Sequence, residues 1–188
     1  MKQIVFYIFS GVVIFLYIWN VVLGNDMLQP SIASKILRFH VLANSDMQED
    51  QAVKERVRDA VGLYLKPLLE EAEDVEETKQ IVDENMDDII AVAERTLQEN
   101  GYDYSVSARI TRTDFPEKSY GMYTFPAGEY EALQIVLGEG EGQNWWCVLF
   151  PPLCRDSAVD ESAAEDEFYA AGFTPEEYRI IKKESGTK

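Results

Sequence analysis

The chain predicts an α+β fold, β-α-α-β-β-β, in which two helices cover a mainly antiparallel sheet. Three observations carry this prediction. A strand-like run, Lys35 to Ala43, precedes two long stretches whose apolar residues recur at helical spacing. From Tyr102 the period changes to two. The late apolar runs are separated by short clusters of glycine, proline and acid, as hairpins require.

Before the domain, Ile4 to Leu23 is an uncharged run of 20 residues. As a helix it spans about 30 Å, the thickness of a bilayer's hydrocarbon core. Tyr17 and Trp19 lie towards its far end, where interfacial aromatics belong, and Lys2 favours an amino terminus left in the cytoplasm. Its length favours an uncleaved transmembrane anchor. Ser31-Ile32-Ala33 favours a signal sequence cleaved after Ala33. Both alternatives stay open, and both place Asn25 onward outside the cytoplasm. Residues 1–24 are thus a signal sequence or membrane anchor, and residues 25–34 a linker.

The exported domain spans residues 35–154. In its first strand Leu37, Phe39, Val41 and Ala43 form an apolar set that faces the core, opposite Ile36, Arg38, His40 and Leu42. Asn44-Ser45-Asp46 stops the strand, and Ser45 with Gln48, or Asp46 with Glu49, forms a capping box. The helix that follows buries Val53, Val57, Val61, Tyr64 and Leu68, leaving Lys54, Arg56 and Arg58 off the stripe, and Pro67 kinks or ends it near Lys66. A second helix, Val75 to Asn100, buries Val82, Met86, Ile89, Ala93 and Leu97 and closes at Asn100-Gly101.

Tyr104, Val106, Ala108 and Ile110 alternate with polar residues in a half-buried strand. Asp114 to Gly121 reads as a loop and Phe125 to Tyr130 as a turn. Glu131 to Gly138 is the next strand. Gly138-Glu-Gly-Glu-Gly142 joins it to the strand Asn144 to Phe150 as an antiparallel hairpin. That last strand is apolar on both faces and should be covered on both, by the protein's own core and by a helix or a partner. Residues 155–188 form an acidic, partly helical tail, with Thr174-Pro175-Glu176-Glu177 as a capping box.

The formal net charge of −17 repels nucleic-acid phosphate and anionic lipid, which sets nucleic-acid binding aside. The apolar fraction of 46% suffices for a core. Cys147 and Cys154 are seven positions apart. Extended, that is about 23 Å, against the ~5.5 Å between Cα atoms that a disulfide needs. They form a disulfide if Pro151-Pro152 turns the chain back, or pack as two small apolar thiols.

The sequence offers little catalytic chemistry. His40, the only histidine, with Cys147 supplies a base and a nucleophile, but a strand histidine more often sits at the surface or in a hydrogen bond. Glu139 and Glu141 beside two tryptophans match the paired acids of sugar cleavage, yet acids on a glycine loop are poorly held. Alternating glycines that lead into a strand lack the helix N-terminus of a dinucleotide site. One histidine and two cysteines do not make a zinc pattern, so no metal, cofactor or catalytic residue is assigned. Trp145 and Trp146 are the best contact candidates.

Several runs resemble a known family. Leu37-Arg-Phe-His-Val-Leu-Ala-Asn-Ser-Asp46, Asp50-Gln51 and Val57-Arg-Asp-Ala-Val61 match its front half. Phe115-Pro-Glu-Lys-Ser-Tyr-Gly121, Pro126-Ala-Gly-Glu-Tyr-Glu-Ala-Leu133 and the run Gly138 to Cys154 match its back half. On these the chain resembles stage II sporulation protein R of endospore-forming bacteria; Glu117 and Phe125 depart from its pattern, and the tail lies outside it. The resemblance implies a signalling protein, not an enzyme. It would be exported from the forespore into the space between two membranes, remain secreted or membrane-anchored there, and activate a membrane-embedded aspartic protease that processes the sigma-E precursor. The receptor contacts are then expected at Gly140, Gly142, Asn144, Trp145 and Trp146, with His40, Asn44 and Asp46 as a second patch. The alternative is a cell-wall hydrolase or glycan-binding protein using Glu139, Glu141 and the tryptophans.

Overall fold

The structure, a computed structural model, describes residue 12, residues 28–153 and residues 161–182. The apolar segment 4–23, Val12 apart, lies outside these residues, as does Cys154. No helix among the described residues is long and apolar enough to cross a membrane.

The fold is α+β, built on a four-stranded mixed sheet. The strands are β1 (Leu37–Leu42), β2 (Val106–Phe115), β5 (Gly128–Leu137) and β6 (Asn144–Phe150), in the order β2-β5-β1-β6. β1 runs parallel to β5 and antiparallel to β6, and β2 runs antiparallel to β5. The expected hairpin of β5 and β6 is therefore not formed: β1 lies between them. Second-neighbour strands are about 10 Å apart, a gap that the six residues 138–143 bridge across the end of β1.

Three helices follow β1. α1 (Gln48–Leu68) runs one residue past Pro67, which cannot donate to the Leu63 carbonyl. The predicted single second helix is two, α2 (Val75–Glu84) and α3 (Met86–Glu99). Asn85 interrupts them: its amide donates to the Ile81 carbonyl at 2.8 Å and its oxygen accepts from the Tyr64 hydroxyl at 3.0 Å. Such side-chain bonding competes with the helical ladder. The segment read as a loop and a turn contains a small hairpin, β3 (Lys118–Tyr120) and β4 (Tyr123–Phe125), around Gly121. Three-residue strands are too short to show a period.

Each face of the sheet has its own core. On one, Phe39, Val41, Leu133 and Ile135 pack against Val53, Val57, Val61 and Leu65 of α1 and against Ile89, Ala93 and Leu97 of α3. On the other, Ala132, Tyr130 and Val148 meet Phe125, Phe168, Tyr178 and Ile181. Phe168 comes from α4 (Glu161–Ala170) and Tyr178 and Ile181 from α5 (Pro175–Ile181), so the acidic segment read as a tail contributes core. Thr174 and Glu177 make the predicted capping box. Glu177 is buried, with hydrogen bonds from Lys35 and Ser31, both at 2.5 Å, beside the helical turn 28–33. Both faces of β6 are thus covered from within the chain.

Candidate functional site

The glycine loop and the strand-to-helix junction, read as two patches, form one hydrogen-bonded unit. The loop passes directly against the exit of β1. The Gly142 N–H donates to the Ala43 carbonyl at 2.9 Å and the Glu141 N–H to the Asn44 carbonyl at 3.2 Å. The Glu139 N–H donates to Asn44 Oδ1 at 3.1 Å, and the Gln143 N–H to Asp46 Oδ1 at 2.8 Å. Glycine is needed for this approach. A Cβ at Gly142 would lie 2.2 Å from the Ser45 carbonyl oxygen, and one at Gly140 2.5 Å from Val136.

The expected capping box at Ser45 or Asp46 does not form. The N-cap of α1 is Met47, without a side-chain cap, because the side chains of both predicted residues are used elsewhere. Asp46 holds the loop. Ser45 Oγ accepts from the Met47 N–H and donates to Asp50 at 2.6 Å.

Asp50 is the centre of the unit. Its carboxylate is buried and also accepts from the Asn44 amide at 2.9 Å and the Tyr104 hydroxyl at 2.8 Å. Burial pushes its pKa up, but the bonds from Ser45, Asn44 and Tyr104 outweigh that and hold it below the usual range. Four residues on, Lys54 donates to the Gln143 carbonyl at 3.0 Å and closes the loop against α1. Neither Asp50 nor Lys54 stood out as a site residue in the sequence. The one signal for Asp50 was its place, an acid in the first turn of a helix just after a polar junction.

The two tryptophans diverge, as strand alternation requires. Both are half-buried. Trp145 lies on the helical side, edge-on to Phe39 at 5.6 Å between centroids, with the Arg58 guanidinium 5.0 Å from its ring. Trp146 lies on the other side, 4.7 Å from the His40 ring and 4.5 Å from Phe115.

His40 is a correction. It is neither at the surface nor hydrogen-bonded: it is 2% exposed and both ring nitrogens lack a partner. Burial lowers its pKa to about 4, with Arg109 and Arg38 adding to the effect, so it is neutral. Beside it Arg38 is fully buried, 4.1 Å from the Phe115 ring and 4.7 Å from that of Tyr130, and it donates to the Tyr120 hydroxyl at 3.0 Å. Aromatic faces stand in for water around this cation.

The sheet register brings the predicted residues together: His40 pairs with Trp146 and Leu42 with Asn144. The same register separates His40 from Cys147, which pairs with Phe39 and so faces the opposite side. Cys147 is disulfide-bonded, and Cys154, its predicted partner, lies outside the described residues. Glu139 and Glu141 are exposed, and no hydrogen bond holds either carboxylate among the described residues. No cluster of metal-binding side chains occurs among the described residues.

Comparison with known proteins gives concordant matches. The family model for stage II sporulation protein R matches residues 33–160. A protein of Bacillus subtilis (strain 168), "Stage II sporulation protein R", is 40% identical over 137 residues, which is 72% of this chain and 61% of that relative's length. The chain thus matches less than two thirds of the relative. No solved structure matches.

Proposed function

Because the chain belongs to the stage II sporulation protein R family, we propose that it is an extracytoplasmic developmental signal that switches on a membrane-embedded aspartic protease. That protease then shortens the sigma-E precursor. The protein acts as a ligand: it binds the protease's outer face better in the active arrangement than in the inactive one, and so shifts the equilibrium. Export across the forespore inner membrane, by the segment 4–23, brings it to the space between the membranes.

One observation supports this reading most. The contact residues expected on sequence grounds, Gly140, Gly142, Asn44, Asp46, Asn144 and Trp145, sit on a single surface unit tied down by Asp50 and Lys54. A surface held this rigidly loses little entropy on binding. Trp146 and His40 belong to the same edge from the opposite face and support it from within.

The test is reconstitution in a non-sporulating bacterium that makes this protein, the protease and the sigma-E precursor. Precursor shortening that depends on this chain, and persists in the double variant Glu139→Gln, Glu141→Gln, is the expected result. Absence of shortening with the protein folded and exported would overturn the proposal.

A further inference from the structure

The segment that joins the apolar leader to the sheet belongs to the fold. Residues 28–33, read from the sequence as part of a linker, are helical. Ile32 is fully buried, and Leu28 and Ala33 pack against the same core on the second face of the sheet.

Two remote parts of the domain receive this turn. Glu177 of α5, 1% exposed, accepts from Ser31 Oγ at 2.5 Å. At the entry of β5, Gln29 Nε2 donates to the Glu129 carbonyl at 3.2 Å. Gly128 leaves the room for it: a Cβ there would lie 2.3 Å from Gln29 Nε2.

These contacts bear on the two alternatives for the leader. A peptide seated in a cleft through its main chain is extended. The Ala33–Ser34 bond, which cleavage after Ala33 would cut, is not. The Ser34 N–H donates to the Pro30 carbonyl at 3.0 Å, and Ser34 Oγ to the Ser31 carbonyl at 2.8 Å. A cut made during export, before the sheet exists, would escape this obstacle but not its consequence. The product would lack Gln29, Ser31 and Ile32, leaving a void in the second core and removing one donor from the buried Glu177 carboxylate.

We infer that the chain is not cut after Ala33 and that segment 4–23 stays attached as a membrane anchor. The turn also sets where that anchor grips the domain. It stands at the entries of β1 and β5, whereas the glycine loop lies at their exits, the ten residues of β5 or about 30 Å away. Residues 24–27 separate the apolar run from the turn, at most about 14 Å of chain. The anchor therefore keeps the turn at its own membrane, with the glycine loop at the far end of the domain. From the proposed function this takes only export; precursor shortening plays no part in its test.

The test uses the full chain exported by a non-sporulating bacterium. The whole uncut chain, resistant to alkaline extraction from membranes, is the expected result. A chain that begins at Ser34 overturns the inference, as does one cut anywhere before Leu28 or an uncut chain recovered in the soluble fraction. Ile32→Ala in the full chain is expected to lower the melting temperature by about 5–10 °C. An unchanged melting temperature overturns the turn's place in the domain. Finally, a photoreactive phenylalanine replaces Pro30 or Glu139, both exposed. Lipid adducts are expected from position 30 and not from position 139. Adducts as abundant from 139, or none from 30, overturn the assigned grip.

Discussion

His40 gives the sharpest stability prediction. Its folded pKa of about 4 lies below the ordinary value of 6.5 because the ring is buried beside Arg38 and Arg109. The unfolded chain therefore takes up a proton near pH 6.5 that the folded chain refuses until about pH 4. The sign follows: stability is unaffected above 6.5, falls as the pH drops from 6.5 to 4, and levels off below. From neutrality to pH 5 the loss covers about 1.5 pH units, or about 2 kcal/mol, and the full loss is about 3 kcal/mol. His40→Leu removes this slope. It also removes two buried nitrogens without partners, so stability near pH 7.5 should be preserved. Urea unfolding of both proteins at pH 7.5 and pH 5 measures the difference directly. Equal losses in the two proteins would refute the argument, because the slope would then belong to other groups.

Two alanines should act with opposite signs. Gly62→Ala should stabilise by up to about 1 kcal/mol, since the methyl meets only open space. Gly142→Ala should destabilise by about 1–3 kcal/mol, because its Cβ would lie 2.2 Å from a backbone oxygen; thermal unfolding decides both. Asp50→Ala leaves three donors unpaired and should cost about 3 kcal/mol, with faster hydrogen exchange at the amides of residues 139–143. Burial raises the pKa of Glu177, but bonds from Lys35, Ser31 and Thr174 outweigh it and bring the group to about 2, against an ordinary 4.5. Its contribution, about 3 kcal/mol, is present above pH 4.5 and lost as the pH falls towards 2. Glu177→Gln should lose it at neutral pH and unfold with a flatter acid limb.

The local periods were legible in the sequence, and the neighbours were not. The core stripes of α1 and α3 follow from residues such as Val53, Val57, Ile89 and Ala93, and the pattern of β2 from its alternation. Strand order is set by contacts remote in sequence. Nothing in the glycine loop says that β1 lies between the strands it joins, and a hairpin was the economical reading. Arg38 and His40 looked like surface residues because their side of β1 alternates with an apolar one; their cover comes from Phe115, Tyr120, Tyr130 and Trp146, more than 70 positions away. The glycines and Trp145 were visible as candidates. Asp50 was not, since an acid in a first turn has an ordinary explanation until its surroundings are known.

The central place of β1 governs how the chain can reach this structure. Arg38 finds its sheet partners at Ala132 and Val148, about a hundred positions later. The first strand made is thus without any partner until almost the whole domain exists. Closing so long a loop carries a large entropic cost before any pairing is gained, which slows folding. A chain threaded through a membrane from its amino terminus would emerge with α1 to α3 able to form and the sheet unable to start. Completion would wait for β5 and β6, so the proposed contact surface around Trp145 would be assembled late, and a chain truncated before Gly128 would lack its glycine loop and both tryptophans.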